Sequence, residues 1–255
     1  MFPYKDDNPT VITPVVTIGI IVLNALAWIF VQGAGFSEPA MARSVCELGL
    51  VPGELLGTVP AGTAVPLSPT HTCVVESEPS YATLVTSMFM HGGWFHLIGN
   101  MMFLWVFGNN IEDAMGHVRF VLFYVFCGVA AAAGQMAVSP DSAIPMVGAS
   151  GAISGVLGGY LLLYPRVKVH TLVFFGFYAT TIALPAYVML GYWAVLQLLG
   201  GIPALAGLDS GGVAFWAHIG GFVAGLILVK LFAKSENLER RPLHTAHYWH
   251  RAVKR

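Results

Sequence analysis

Long stretches without a charged side chain are the feature that most narrows what this chain can become. Residues 11–32, 79–111 and 169–208 contain no Asp, Glu, Lys or Arg. About 20 apolar residues suffice to cross the hydrocarbon core of a bilayer as a helix. Several such runs in one chain exclude an ordinary soluble domain. Composition agrees: 10% of the residues are charged and mean hydropathy is +0.71, where soluble domains carry roughly 25% charged residues. The expectation is an all-α polytopic membrane protein with six transmembrane helices, at 11–32, 95–108, 120–138, 144–164, about 184–199 and 210–229. It is read as one membrane domain over 1–255, with a long outer loop at 35–82 and a cytoplasmic tail at 230–255. Lys5 is followed by Asp6, Asp7 and Pro9, and the first apolar run is too long for a signal-peptide core, so a retained N-terminus is expected.

Charge sets the number of spans. The run 169–208 is too long for one helix crossing at 1.5 Å per residue and is broken by Pro185 and Pro203. With six spans, eleven of the twelve Lys and Arg residues lie on the side of the N-terminus, and only Arg43 lies opposite. The other side holds Glu38, Glu47, Glu54, Glu76, Glu78, Asp141 and Asp209. Basic loops mark the cytoplasmic side. Both termini are therefore expected in the cytoplasm of a cell with its protein in the inner membrane, and 169–183 is read as interfacial. The second, fourth and sixth spans all enter from the outer face.

Polar side chains inside a membrane are costly and each is a functional hypothesis. The outer turns of those three spans carry His96 and Asn100, then Ser150, then His218. His96 and Asn100 are four apart and share a helix face. Ser150 is expected about six residues into its helix and His218 about eight, or roughly 12 Å deep at helical rise. Each histidine alone is better read as a structural hydrogen bond between helices. Their common depth on three parallel helices favours a site.

A serine hydroxyl needs a base within reach to become a nucleophile, and histidine titrates near neutrality and can shuttle that proton. Both side chains are short, so their helices must pack closely. Gly151, Gly155 and Gly159 on one helix and Gly221 and Gly225 on the other meet that need, since small residues at four-residue steps permit close packing in lipid. No carboxylate is expected at this depth, which leaves a Ser150–His218 dyad. His96, Asn100 and the N–H groups at the start of the fourth helix, that of Gly151 among them, can receive an oxyanion. There is no His-Glu-x-x-His motif for a zinc protease and no pair of intramembrane aspartates.

These residues resemble the rhomboid family of intramembrane serine proteases, over about 85–230. Gly148-Ala149-Ser150-Gly151 is similar to the family's G-x-S-G. The run Ala217 to Gly225 is similar to A-H-x-x-G-x-x-x-G, and His91 to Asn100 to H-x-x-x-x-H-x-x-x-N. Glu112 with Gly116 resembles the acidic–glycine turn after the second span. The resemblance implies a six-span rhomboid-like bundle with Ser150 as nucleophile, His218 as base, His96 and Asn100 as oxyanion groups, and His91 as a structural residue. It implies endopeptidase action on single-span, membrane-anchored substrates near the outer face, and a fifth helix that serves as a lateral gate. Two departures stand out. Some members carry a tyrosine stacked on the histidine four residues after the nucleophile, where this chain has Ser154. Ser150 and His218 are also farther apart than in compact bacterial members, with the excess at 167–183.

The implied partners are transmembrane protein substrates and the lipid bilayer, with no nucleic acid, metal or cofactor. Two other classes remain open to test: a non-catalytic rhomboid-like protein that binds membrane clients, and a small transporter with a polar middle layer. Cys46 and Cys73 share the outer loop and are either a disulfide or two thiols; Cys127 is read as packing. His244, His247 and His250 have a metal-like spacing, but with Tyr248, Trp249 and basic neighbours they are read as an interfacial amphipathic tail.

Overall fold

The computed structural model describes residues 2–175, 178–205 and 213–239. The chain opens with strand β1 (Phe2–Asp6) and helix α1 (Val15–Leu26), which ends in a π turn at Ala27–Val31. Next come α2 (Glu38–Leu48), α3 (Pro52–Leu56) and a small hairpin of β2 (Ala64–Pro66) and β3 (Thr72–Val74). Helix α4 runs from Trp94 to Met115, with a π-type stretch at Leu104–Gly108. Then follow α5 (His117–Val138), α6 (Ser150–Leu163), β4 (Lys168–Phe175), β5 (Tyr178–Pro185), α7 (Ala186–Leu205), α8 (Phe215–Phe232) and α9 (Ser235–Glu239). Helix α6 sits at the centre, packed chiefly on α8 and α5.

Among the described residues, α5, α7 and α8 are long and apolar enough to cross a membrane; Val15–Val31 and Ser150–Leu163 are shorter apolar helices. Helices α1, α4, α5, α6, α7 and α8 fall on the six expected segments, with shifted ends. The fourth begins at Ser150, not at 144, and the sixth at Phe215, not at 210. The cause at the fourth is tertiary. Leu50 and Met146 exchange both backbone hydrogen bonds, and Gly53 N–H and Gly148 N–H donate to the carbonyls of Ser142 and Ser87. The segment before Ser150 is thereby held as a loop against the 38–56 region. The tail segment 240–255, with its three histidines, lies outside the described residues.

The all-α expectation needs correction. The segment read as interfacial forms an antiparallel hairpin, β4 with β5, and β1 adds to its free edge to give the order β1-β4-β5. Alternating Val169, Thr171 and Val173 and the run Thr180-Thr181-Ile182 suit a pleated, half-buried surface. Val169 and Thr171 point inward and are buried. The 35–82 loop is also ordered: Cys46 and Cys73 form a disulfide that ties α2 to β3. Closing a loop of this separation stabilises by about 3 kcal/mol in the chain-entropy model.

The end of the bundle opposite the disulfide is organised by two buried carboxylates. Asp113 accepts from the N–H groups of Val11 and Ile12 at 3.0 and 2.8 Å. Glu112 accepts from the N–H groups of Val16 and Thr17, from the Thr17 hydroxyl, and lies 2.6 Å from His117 Nδ1. A helix start leaves four N–H groups unpaired, and α1 has no capping side chain of its own. The end of α4 supplies the missing acceptors. Gly116, at φ +77°, then turns the chain sharply into α5, a conformation that favours glycine. Replacing Glu112 by Ala leaves buried N–H groups unmatched. We expect Glu112→Ala to cost about 3 kcal/mol or more, read as a lower midpoint in thermal unfolding of the detergent-solubilised protein.

Candidate active site

Ser150 is the first residue of α6 rather than the sixth. His218 is the fourth residue of α8 rather than the eighth. Both starts moved the same way, so the two side chains still meet: Ser150 Oγ lies 2.8 Å from His218 Nε2. They meet because the helix backbones touch. A Cβ on Gly221 would fall 2.0 Å from the Gly151 carbonyl oxygen, and one on Gly225 1.9 Å from that of Gly155. On α5, Cys127 and Ala131 fill the space beside Gly155 and Gly151. Cys127 is thus a packing residue, as expected.

The loop before Ser150 meets His96. Gly148 has φ +126°, and a Cβ there would lie 2.7 Å from His96 Nε2. Gly92 N–H donates to His96 Nδ1 at 3.3 Å. An acceptor at Nδ1 leaves the proton on Nε2, on the side of Gly148 and Ser150. Asn100, one turn further along α4, is buried, and its Nδ2 has no hydrogen-bond partner among the described residues. His91 lies fully buried beneath, its ring edge-on to His96 at 5.1 Å. Its backbone is clamped by Gln32, which donates to the His91 carbonyl and accepts from the His91 N–H at 2.9 and 2.8 Å.

Ser150, His96, Asn100 and His218 all line one cavity of about 850 Å³. It extends between Phe95 on α4, the Ser139–Met146 loop and Trp193 on α7. Residues from five helices, α4 to α8, therefore converge on one space, with a hydroxyl, an imidazole acceptor and side-chain donors within it. Such a set suits acyl transfer. Among the described residues, no group of three or more His, Cys, Asp or Glu side chains is placed to hold a metal.

Residues 78–235 match the Rhomboid domain. The chain belongs to the rhomboid family. It is 30% identical over 164 residues to rhomboid-like protein 11, chloroplastic, of Arabidopsis thaliana, covering 61% of this chain and 54% of that one. It is 28% identical over 176 residues to rhomboid protein 1, mitochondrial, of Saccharomyces cerevisiae, covering 67% and 47%. It is 33% identical over 150 residues to putative rhomboid protease YdcA of Bacillus subtilis, covering 59% and 62%. The chain spans about half the length of the first relatives it matches. The matched rhomboid region holds α4 to α8 and every candidate site residue; β1, α1, α2 and α3 lie before it.

Sequence reasoning missed Gln197. Its Oε1 lies 2.8 Å from His218 Nδ1. It is the one side chain on α7 that is amide, charged or aliphatic hydroxyl, and that isolation within an apolar helix was the available signal. Ser154, where some rhomboids carry a tyrosine, turns back to its own helix and donates to the Ser150 carbonyl at 2.6 Å.

The α6–α8 contact leaves no room for a methyl group. We expect Gly225→Ala to destabilise by about 1–3 kcal/mol, as overpacking typically does. Gly19, with nothing within 4 Å of its missing Cβ, provides the control. Gly19→Ala should leave the thermal midpoint unchanged or higher, since alanine favours helix.

Proposed function

We propose that this rhomboid is an intramembrane serine endopeptidase that uses Ser150 and His218. The observation that carries the reading is the 2.8 Å approach of Ser150 Oγ to His218 Nε2 inside a cavity that also receives His96 and Asn100. In the proposed reaction Ser150 Oγ attacks the carbonyl carbon of a substrate peptide bond, and its proton passes to His218 Nε2. The negative charge on the carbonyl oxygen is met by His96 Nε2–H, Asn100 Nδ2–H and the Gly151 N–H at the start of α6. Collapse of this intermediate breaks the C–N bond, and His218 returns the proton to the leaving amine. A water molecule deprotonated by His218 then attacks the acyl-enzyme and releases the new carboxylate and Ser150. A buried amide donor such as Asn100 Nδ2 is costly to leave unpaired; a developing oxyanion gives it a partner.

The same reading supplies topology. Six spans place both termini in the cytoplasm, in keeping with the basic residues gathered there. The site then opens toward the outer face, on the side of the Cys46–Cys73 loop, where a disulfide is at home. Substrates are proposed to be single-span membrane proteins cut near that face, with the chain acting as one domain.

The test is cleavage of a transmembrane substrate by purified protein in detergent or liposomes. Ser150→Ala and His218→Ala should each abolish cleavage, and fluorophosphonate labelling should require Ser150 and fall away in His218→Ala. Cleavage that survives either substitution overturns the dyad. A folded wild type that neither cleaves nor labels favours a client-binding role. Asn100→Ala should lower kcat about 10²-fold or more, the range for loss of one oxyanion donor, with little change in KM.

A further inference from the structure

The His218 ring is held from a helix that carries neither the nucleophile nor the histidine. We infer that Gln197, on α7, is the positioning residue for His218, so that the seating of α7 on α8 decides whether the histidine can act as a base. The inference rests on the reading of Ser150 and His218 as nucleophile and base.

The hydrogen bonds give the amide one orientation. Gln197 Nε2 donates to the Trp193 carbonyl at 3.3 Å, which leaves Oε1 to face His218 Nδ1 at 2.8 Å. An amide oxygen only accepts, so Nδ1 must carry the proton. Nε2 is then the free lone pair, and it is Nε2 that lies at the Ser150 hydroxyl. In the other tautomer Nε2–H would donate to Ser150 Oγ instead of accepting from it, and the Nδ1 lone pair would face the amide oxygen. Gln197 therefore selects the form of the ring that can accept from Ser150. When the proton has moved, both ring nitrogens carry hydrogen, and the Nδ1–H bond to Gln197 stabilises the cation without a buried carboxylate.

Trp193 acts from the same helix face, one turn earlier. Its ring lies 6.1 Å from that of His218 at a tilt of 40°, beside the imidazole, where it restricts rotation of the ring. Ser154 offers no such surface, since its hydroxyl is bonded to its own helix. Restraint of the histidine has thus passed from α6 to α7.

The same turn of α7 is docked to the start of α8. Trp216 Nε1 donates to the Gly201 carbonyl at 2.9 Å, and the Phe215 ring occupies the space beside Gly200, where a Cβ would lie only 2.5 Å away. Gln197 is within four residues of both contacts. Any movement of this end of α7 away from α8 removes the acceptor from His218 Nδ1 together with the Trp216 bond.

The experiment compares wild type, Gln197→Met and Gln197→Glu in the full chain. Methionine keeps the length and removes the acceptor; glutamate restores a carbonyl or carboxylate oxygen. Cleavage kinetics are measured beside the tautomer of His218, read by nitrogen NMR on protein with isotope-labelled histidine and assigned with His218→Asn. Gln197→Met should lower kcat by about 10–100-fold, within reach of what a positioned general base contributes, with KM unchanged. Its His218 signals should lose the Nδ1-protonated pattern of wild type. Gln197→Glu should recover both. Wild-type kcat or wild-type ring signals in Gln197→Met would overturn the inference, as would a Gln197→Glu enzyme no better than Gln197→Met. If wild type itself does not cleave, the proposed protease activity has failed, and the NMR comparison still reports on Gln197.

Discussion

The contact between the backbones of α6 and α8 is the constraint on which the site depends. Helices with ordinary side chains at the crossing lie 8–10 Å apart. Here the two backbones are in direct contact, and that contact fixes how the short Ser150 side chain meets His218. Gly151 and Gly155 on one side and Gly221 and Gly225 on the other remove the side chains, and carbonyl oxygens of α6 occupy the places where Cβ atoms of α8 would be. Gly220 repeats the arrangement toward α5, where a Cβ would lie 3.0 Å from the Ala130 carbonyl oxygen. Packing and chemistry thus draw on the same glycines.

The groups around that contact are braced from outside the helices that carry them. Gln32 at the end of α1 clamps the His91 backbone, and His91 lies under His96. The paired backbone of Leu50 and Met146 holds the loop that delivers Gly148 against His96. At the far end, Glu112 caps the start of α1, Asp113 holds the Val11–Ile12 segment before it, and the Asp6 carboxylate of β1 receives the Tyr160 hydroxyl and the Asn110 amide. Each is a polar pairing in a largely apolar setting, where leaving a partner unmatched is costly. The segment before the matched rhomboid region therefore contributes directly to the frame of the site.

How much of this could be read from residues alone varied with the residue. Ser150 was legible because His96, Asn100 and His218 fell at a common level with it; its glycine-spaced stretch alone reads as ordinary helix packing in lipid. Ser154 was legible as a missing aromatic. What replaces that aromatic was not, since Trp193 is one of many aromatic residues and the isolated Gln197 shows its partner only when α7 is laid against α8. The hairpin of β4 and β5 was hidden for a different reason. An uncharged apolar run looks alike whether it is to be a membrane helix or a strand, and its third strand comes from the other end of the chain.

Hydropathy, charge asymmetry and residue chemistry are local properties. They determined that the chain is a helical membrane protein, which helices carry the candidate site residues, and that these residues share a level. Three things were decided only by the tertiary structure: the start of α6 at Ser150, the addition of β1 to β4, and the partner of His218 Nδ1. The physical reason is the same in each. A helix end, a strand edge and a ring tautomer are all settled by where an unpaired N–H or C=O finds its hydrogen bond, and here each partner lies on a distant segment of the chain.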